Sequence, residues 1–350
     1  MSKYLINGRF YSRKMTGVDR FASEILKQLD GMTKPGEFEL ALPKNTINLP
    51  VFKNIRVSCV GKNTGNLWEQ LDYCFYAYKN NTKAINLCNT APLLKPDVVV
   101  IYDTKINDHP EFFNRKFVIW YRIQFANSFK NAKLIITDSY SAKKDILRNY
   151  PETDPNKIYV VYPSWEHMSD IKYDEQALLK YGLCKKQYYF SLGSIEPNKN
   201  LKWIIETAAR NQDEVFVIAG KIDEHVYKPN DRQDIPENVK LIGYISDEEV
   251  KTLMRDCKAF VFPSFEEGFG LPPVEALSAG ADSLIVSDIP VMHELFDDHA
   301  IYIDPENSDF CIKRNNEIDA LTREEILKKF SWKESAEKLY SAIVDTFERK

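Results

Sequence analysis

The chain alternates between short apolar, β-branched runs and stretches in which apolar residues return every three or four positions. The first pattern predicts buried strands and the second amphipathic helices. YLING (4–8) reads as an opening strand. TGVDRFASEILKQLD (16–30) reads as the helix after it, with Phe21, Ile25 and Leu29 on one face. VVVIYD (98–103), AKLIITDS (132–139) and KIYVVYP (157–163) read as further strands. SAKKDILRNY (141–150) reads as a helix capped by Ser139 or Ser141.

A polar connector, MSDIKYDEQALLKYGLCKKQ (168–187), interrupts this pattern, which then restarts. Strands are expected at 188–194, 214–220, 238–244, 259–264, 282–288 and 300–304. Helices are expected at 201–211, 246–257 and 272–280. Ser246 with Glu249 has the spacing of a capping box, and Gly280 suits a helix end. Strand–helix alternation on both sides of the connector predicts two doubly wound α/β domains. The first covers 1–163 and the second 164–333. The helical pattern of 331–347 predicts a last helix, about 334–350, that packs back on the first domain.

Composition narrows the classes. The 350 residues suffice for two domain cores, and 44% apolar with 28% charged residues is a globular balance. A formal net charge of −4 gives no general footprint for nucleic acid. The cysteines, Cys59, Cys74, Cys88, Cys184, Cys257 and Cys311, are scattered, which predicts reduced thiols rather than a zinc site or disulfide framework. MSKYLINGRF lacks the apolar run of a signal peptide, and no segment has the length of a spanning helix. The expectation is a cytoplasmic protein, at most peripheral at the inner face of a membrane.

The most informative stretch is FPSFEEGFGLPPVEALSAG (262–280). It leaves the carboxyl end of a predicted strand, where open α/β sheets place ligands. Gly268 and Gly270 allow a sharp turn, and Pro272 or Pro273 suits a first helical turn. The unpaired N–H groups at that helix start then predict an anion site. Glu267 and Glu275 cannot bind phosphate, but they can accept hydrogen bonds from hydroxyls. Sugars carry hydroxyls and phosphate together.

This stretch resembles the E-x7-E motif of retaining GT-B glycosyltransferases of family 4, through Pro263, Ser264, Glu267, Gly268, Phe269, Gly270, Leu271, Pro272 and Glu275-Ala276. FSLGSIEPNKNLKWIIETA (190–208) is similar to the family's donor-phosphate loop, and 238–264 to its nucleotide-facing segment. INGRFYSRKMTGVDRFASEIL (6–26), LWEQL (67–71) and NLCNTAPL (86–93) resemble a bacterial subgroup that builds capsule and O-antigen chains, with rhamnosyl- and mannosyl-transferases among its members. The resemblance implies the GT-B fold, two Rossmann-like domains facing across a cleft. It implies transfer of a hexose or deoxyhexose, with retention, from a nucleotide-sugar to a hydroxyl of a glycan or lipid-linked glycan. No metal and no cofactor are expected.

The resemblance also implies roles position by position. It puts Glu267 near the transferred sugar and Glu275 on the nucleotide ribose. It gives Lys199 the task of neutralising the leaving diphosphate. Where many relatives add an Arg, this chain has Ser194 and Asn198. Gly268, Phe269, Gly270 and Leu271 line the donor, with Tyr244 and Ile245 near the base. Gly17 lets the backbone approach the donor phosphate or the acceptor, with Arg20 beside it. Relatives usually read His-Asp after the strand at 98–103; here Tyr102-Asp103 stands there. Tyr102 is an acceptor-side hydrogen-bonding candidate and Asp103 a catalytic polar group or a strand-end cap. Trp165 and His167 line the acceptor side or pack at a hinge. His109, His225, His293 and His299 are too scattered for a metal. Lys143, Lys144 and Arg148 form a solvated helix face or a contact to anionic lipid. The departure at Tyr102 sustains one alternative, a non-catalytic nucleotide-sugar-binding or scaffold subunit.

Overall fold

The computed structural model describes residues 3–47, 49–193, 196–220, 235–312 and 317–348. The chain divides into two compact units, Met1–Pro163 with Ser331–Lys350, and Ser164–Phe330. Among the described residues each unit is built on one parallel sheet.

The first unit holds strands β1 (Tyr4–Asn7), β2 (Phe38–Leu42), β3 (Arg56–Cys59), β4 (Lys83–Asn86), β5 (Val98–Val100), β6 (Leu134–Thr137) and β7 (Ile158–Val160). Their order across the sheet is β3-β2-β1-β4-β5-β6-β7. Central strands such as β2 and β5 are buried at every position, as expected when helices cover both faces. Strand β3 lies at the edge and is half exposed; its sequence, RVSC, has no apolar run to betray it.

The helix Gly17–Met32 follows β1. Asp19 accepts from the Thr16 N–H at 3.0 Å and so closes its first turn, and Phe21, Ile25 and Leu29 are buried below it. The C-terminal helix, Trp332–Phe347, joins the same core through Trp332, Ala336, Leu339 and Ile343. The Trp332 ring meets Phe21 edge-on at 5.8 Å. Burial of a large side chain such as Trp332 or Leu339 contributes about 1.5–3 kcal/mol, which anchors the end of the chain on the first unit. Glu348 adds a hydrogen bond from the Tyr4 hydroxyl at 2.6 Å.

The second unit holds β8 (Tyr188–Leu192), β9 (Val215–Ala219), β10 (Val239–Gly243), β11 (Ala259–Phe262), β12 (Leu284–Ser287) and β13 (Ile301–Ile303). Their order is β10-β9-β8-β11-β12-β13, all parallel. Strands β8 and β11 are neighbours in space, with Tyr189 beside Ala259 and Phe190 beside Phe260. The chain winds outward from β8 in one direction and from β11 in the other. The loops after these two strands therefore diverge and leave a crevice at their carboxyl ends, the switch point of an open sheet.

Local signals place several helices as the sequence suggests. Ser139 caps Tyr140–Asn149, accepting from the Ala142 N–H at 2.8 Å. Ser246 and Glu249 form the expected box at Asp247–Asp256. Several described helical segments lie outside the expected ranges, among them Gly65–Lys79, Arg115–Asn131, Pro290–Phe296 and Ala320–Leu327. The first contains a π-helical stretch, Trp68–Tyr73, whose wider turn displaces the usual spacing. No helix among the described residues is long and apolar enough to cross a membrane.

Candidate functional site

The crevice of the second unit is framed by two segments, 196–200 beyond β8 and 263–270 after β11. Asn198 ties them together. Its backbone carbonyl accepts from the Phe265 N–H at 3.0 Å, and its side-chain amide donates to the Glu266 carbonyl at 2.9 Å. Asn200 donates to the Pro263 carbonyl at 3.1 Å and the Pro305 carbonyl at 2.7 Å. It takes φ +52° and caps the helix Leu201–Arg210 through its side chain. Asn198, expected from the sequence as a donor-binding residue in the place of the relatives' Arg, makes its Phe265 and Glu266 contacts within the protein and braces the two segments.

Lys199 ends the short 3-10 turn Pro197–Lys199 and reaches across the crevice. Its ammonium lies 2.6 Å from Glu267 Oε1, over the Phe262 ring at 5.0 Å. The two residues singled out for transfer are thus one ion pair, with side-chain exposures of 25% and 10%. A pocket at this point is lined by Ser191, Gly193, Lys199, Phe262, Pro263 and Ser264. Ser264 Oγ and Asn198 Oδ1 are buried without a hydrogen-bond partner in the described chain. Buried polar atoms are normally satisfied, so such atoms mark a place for water or a ligand. Ser194 lies outside the described residues.

The helix after β11 spans Leu271–Ala279, capped by Gly270 at φ +92° and ended by Gly280 at φ +99°. The positive φ favours glycine at 270, and a Cβ there would also fall 2.4 Å from the movable end of Met292. Two expectations need correcting. Pro272 and Pro273 fill the second and third helical positions and remove two of the four N–H groups that a helix start normally leaves without an intrahelical partner. The helix start therefore keeps only the Gly270 and Leu271 N–H groups, and more of any anion's charge falls to Lys199. Glu275 sits one position further in than a helix over 272–280 predicts, at the fifth helical position, with its side chain 12% exposed.

Glu275 has a partner the sequence did not reveal. His167 Nε2 lies 2.9 Å from Glu275 Oε1. The two residues stand 108 positions apart, and nothing in the spacing could have joined them. Trp165, paired with His167 in the sequence reading, donates to the Leu327 carbonyl at 3.0 Å.

Other expected donor residues separate. Phe269 is 3% exposed and meets Phe330 edge-on at 5.3 Å, so its ring belongs to the core. Gly268 is buried and Leu271 half-buried. Tyr244 is 86% exposed and Ile245 buried, at the end of edge strand β10, two strands away from β8.

Gly17, Arg20, Tyr102 and Asp103 belong to the first unit. Gly17 opens its helix in open space, and a Cβ there would meet nothing within 4 Å. Arg20 lies in the first turn of that helix. Tyr102 is a correction: its ring packs edge-on against Phe21 at 5.5 Å, and its hydroxyl donates to the Leu87 carbonyl at 2.7 Å. Burial holds that hydroxyl well above its ordinary pKa, so it is a neutral core donor. Asp103 pairs with the Lys105 ammonium at 3.2 Å and accepts from the Lys105 N–H at 3.3 Å, which is the geometry of a cap.

Lys143 donates to the Pro155 and Ile158 carbonyls at 3.0 and 2.7 Å, and Arg148 pairs with Asp108 and Asp145. That helix face is largely engaged within its own unit. His225 lies outside the described residues. Among the described residues, no three His, Cys, Asp or Glu side chains converge as metal ligands do.

Two parallel α/β units with a switch-point crevice define a GT-B protein, and solved structures agree. The protein Alr3699/HepE of Anabaena, in complex with UDP and glucose, superposes with a TM-score of 0.74 at 16% identity, covering 98% of this chain and 99% of that one. Sucrose-phosphate synthase of Thermosynechococcus elongatus gives 0.73 at 13% identity, covering all of both chains. Residues 180–339, a little under half of the chain, match the model of glycosyl transferases group 1. The O-antigen chain mannosyltransferase RfbU of Salmonella typhimurium is 30% identical over 226 residues, covering 63% of this chain and 60% of that protein. The O-antigen chain mannosyltransferase B of Escherichia coli is 28% identical over 260 residues, covering 69% and 64%. The matched region thus spans less than two thirds of either relative's length.

Proposed function

We propose that the chain transfers a hexose, with mannose the first candidate, from a nucleotide-sugar to a hydroxyl of a growing surface glycan. The transfer retains configuration at the anomeric carbon and needs no metal ion. The observation that carries this reading is the Lys199–Glu267 pair, set at the switch point of a unit that matches the group 1 model. The mannosyltransferases among its relatives support mannose over rhamnose.

In this reading the anomeric C–O bond to the diphosphate breaks as the acceptor oxygen bonds to the same carbon from the same face. The acceptor's proton passes to the departing phosphate oxygen. Lys199 turns from Glu267 to the diphosphate and stabilises the negative charge that grows on it. Glu267, released from its cation, accepts a hydrogen bond from the sugar ring. Glu275 accepts from the ribose. The acceptors include lipid-linked glycans, and the reaction belongs on the cytoplasmic side of a membrane.

The test is thermal stabilisation by guanosine, uridine and thymidine diphosphates and their sugars, with Lys199→Ala and Glu275→Ala beside the parent. A ligand that binds only the folded state raises its apparent stability. One base should give a clear shift that both substitutions abolish, and turnover of that sugar with a glycan acceptor should yield the retained anomer by NMR. A parent that no nucleotide stabilises refutes the reading.

A further inference from the structure

We propose that His167 is a positioning residue for nucleotide recognition. It fixes the carboxylate of Glu275 so that one oxygen is held by the protein and the other is turned to the ribose hydroxyls. The inference rests on the donor reading above and goes beyond it by naming what makes Glu275 selective.

A glutamate side chain has three rotatable bonds and swings freely unless something holds it. Glu275 projects from the helix Leu271–Ala279 toward the turn Glu166–Asp170. His167 on that turn has a side-chain exposure of 4% and places Nε2 2.9 Å from Glu275 Oε1. With its proton on Nε2, the imidazole donates to that oxygen.

The turn itself is pinned on both sides. Ser164 Oγ donates to the Phe330 carbonyl at 3.2 Å, and Trp165 donates to the Leu327 carbonyl at 3.0 Å. On the other side the buried Lys251 ammonium donates to the Met168 and Ile171 carbonyls, both at 2.7 Å. Tyr173 continues the bracing, its hydroxyl donating to the Ala279 carbonyl at 3.2 Å at the far end of the same helix. The imidazole is therefore a fixed donor aimed at a movable acceptor. Pinning one oxygen in advance removes rotamer freedom that ribose binding would otherwise have to remove, which is how preorganisation raises affinity. A carboxylate with one oxygen occupied is an acceptor of set direction, suited to a vicinal diol.

The experiment is a cycle between protein and ligand, read by calorimetric affinity. GDP and its 2′,3′-dideoxy analogue are the probes, with UDP and its analogue in parallel. The proteins are the parent, His167→Leu, which removes the donor, and His167→Gln, whose amide nitrogen can stand where Nε2 stands. The expected result is an about tenfold loss of affinity for the ribonucleotide in His167→Leu, the scale of a hydrogen bond to a charged group. The loss for the dideoxy analogue should be under about twofold, and His167→Gln should recover most of the ribonucleotide's affinity. Equal losses for both ligands, or none for either, overturn the positioning role while leaving the donor reading intact. A parent that does not distinguish ribose from dideoxyribose overturns the role of Glu275, and His167's with it. A parent that binds neither nucleotide overturns the donor reading itself. If His167→Leu does not fold, the parent and His167→Gln still decide: Gln must keep the parent's discrimination between the two sugars, and its loss refutes the proposal.

Discussion

The pair Lys199–Glu267 should be energetically coupled in the ligand-free protein, and the coupling can be estimated. At 2.6 Å and an effective dielectric of about 20, the gross attraction is about 6 kcal/mol. Most of that is offset by desolvation and by the entropy of holding two long side chains. Lys199 is a quarter exposed and Glu267 a tenth, so the pair lies between a surface bridge, at about 0–1 kcal/mol, and a buried one whose rupture costs about 3–5. A net coupling of about 1–2 kcal/mol follows. The single variants should also be unequal. Lys199→Ala takes the cation from a mostly buried carboxylate, whereas Glu267→Gln leaves an ammonium that can reach water. The first should cost about 2–3 kcal/mol and the second about 1. Urea unfolding of the parent, both singles and the double closes the cycle, and thermal melts should follow at about 2–4 °C per kcal/mol. The double variant should be less destabilised than the sum of the singles by the coupling. Additivity within about 0.5 kcal/mol would show that the contact does nothing for the folded state and would remove the switch invoked for transfer.

Three further outcomes test the framework around the site. Gly270→Ala should cost about 1–3 kcal/mol in urea unfolding, because φ is +92° and its Cβ would meet Met292; most of the cost should persist in a Met292→Ala background, where only the backbone strain remains. Tyr102→Phe should cost about 1–2 kcal/mol by leaving the Leu87 carbonyl without its donor, and should leave nucleotide binding unchanged; a loss of binding would return Tyr102 to the site. The carboxyl of Glu249 is held down at about 2 despite partial burial, by Lys180, the Ser246 N–H and the Tyr181 hydroxyl. Its unfolded value is about 4.3, so its stabilisation is complete above that and fades as pH falls toward 2. The melting-temperature gap between parent and Glu249→Gln should therefore be widest near neutrality and close in acid; a gap that does not change with pH refutes the assignment.

How much of the site was legible depends on the range over which each contact acts. The capping box at Ser246 and Glu249 was readable because both members lie within one turn. The motif 262–280 was readable because a strand, a loop and a helix start are adjacent in sequence, and the glycine at 270 is forced by local backbone. Strand β2, FELAL, is buried at every position, yet five residues without alternation are too short to separate from a buried helix segment. Arg115–Asn131 places Phe117, Ile119, Tyr121 and Ile123 around much of its circumference, so no single face stands out. The spacing of Lys199 and Glu267, 68 residues apart, says nothing of their meeting. Their meeting follows only once β8 and β11 are known to be neighbours, because parallel pairing in register delivers both following loops to one edge.

The same logic shows why Tyr102 misled and why sequence set His167 on the acceptor side or at a hinge instead of beside Glu275. Both are aromatic residues with a polar atom, each just beyond the end of a strand or domain segment. Sequence gives no means of telling a hydroxyl that points into the core from an imidazole that points at a carboxylate. What separates them is the partner. The Tyr102 hydroxyl donates to the main chain, at the Leu87 carbonyl, where any function would require the core to open. His167 donates to a side chain in the E-x7-E motif, where the bond can set the direction of an acceptor without altering the fold. A functional histidine of this kind is found by asking what holds a motif residue still, and that question can be put only once the chain is folded.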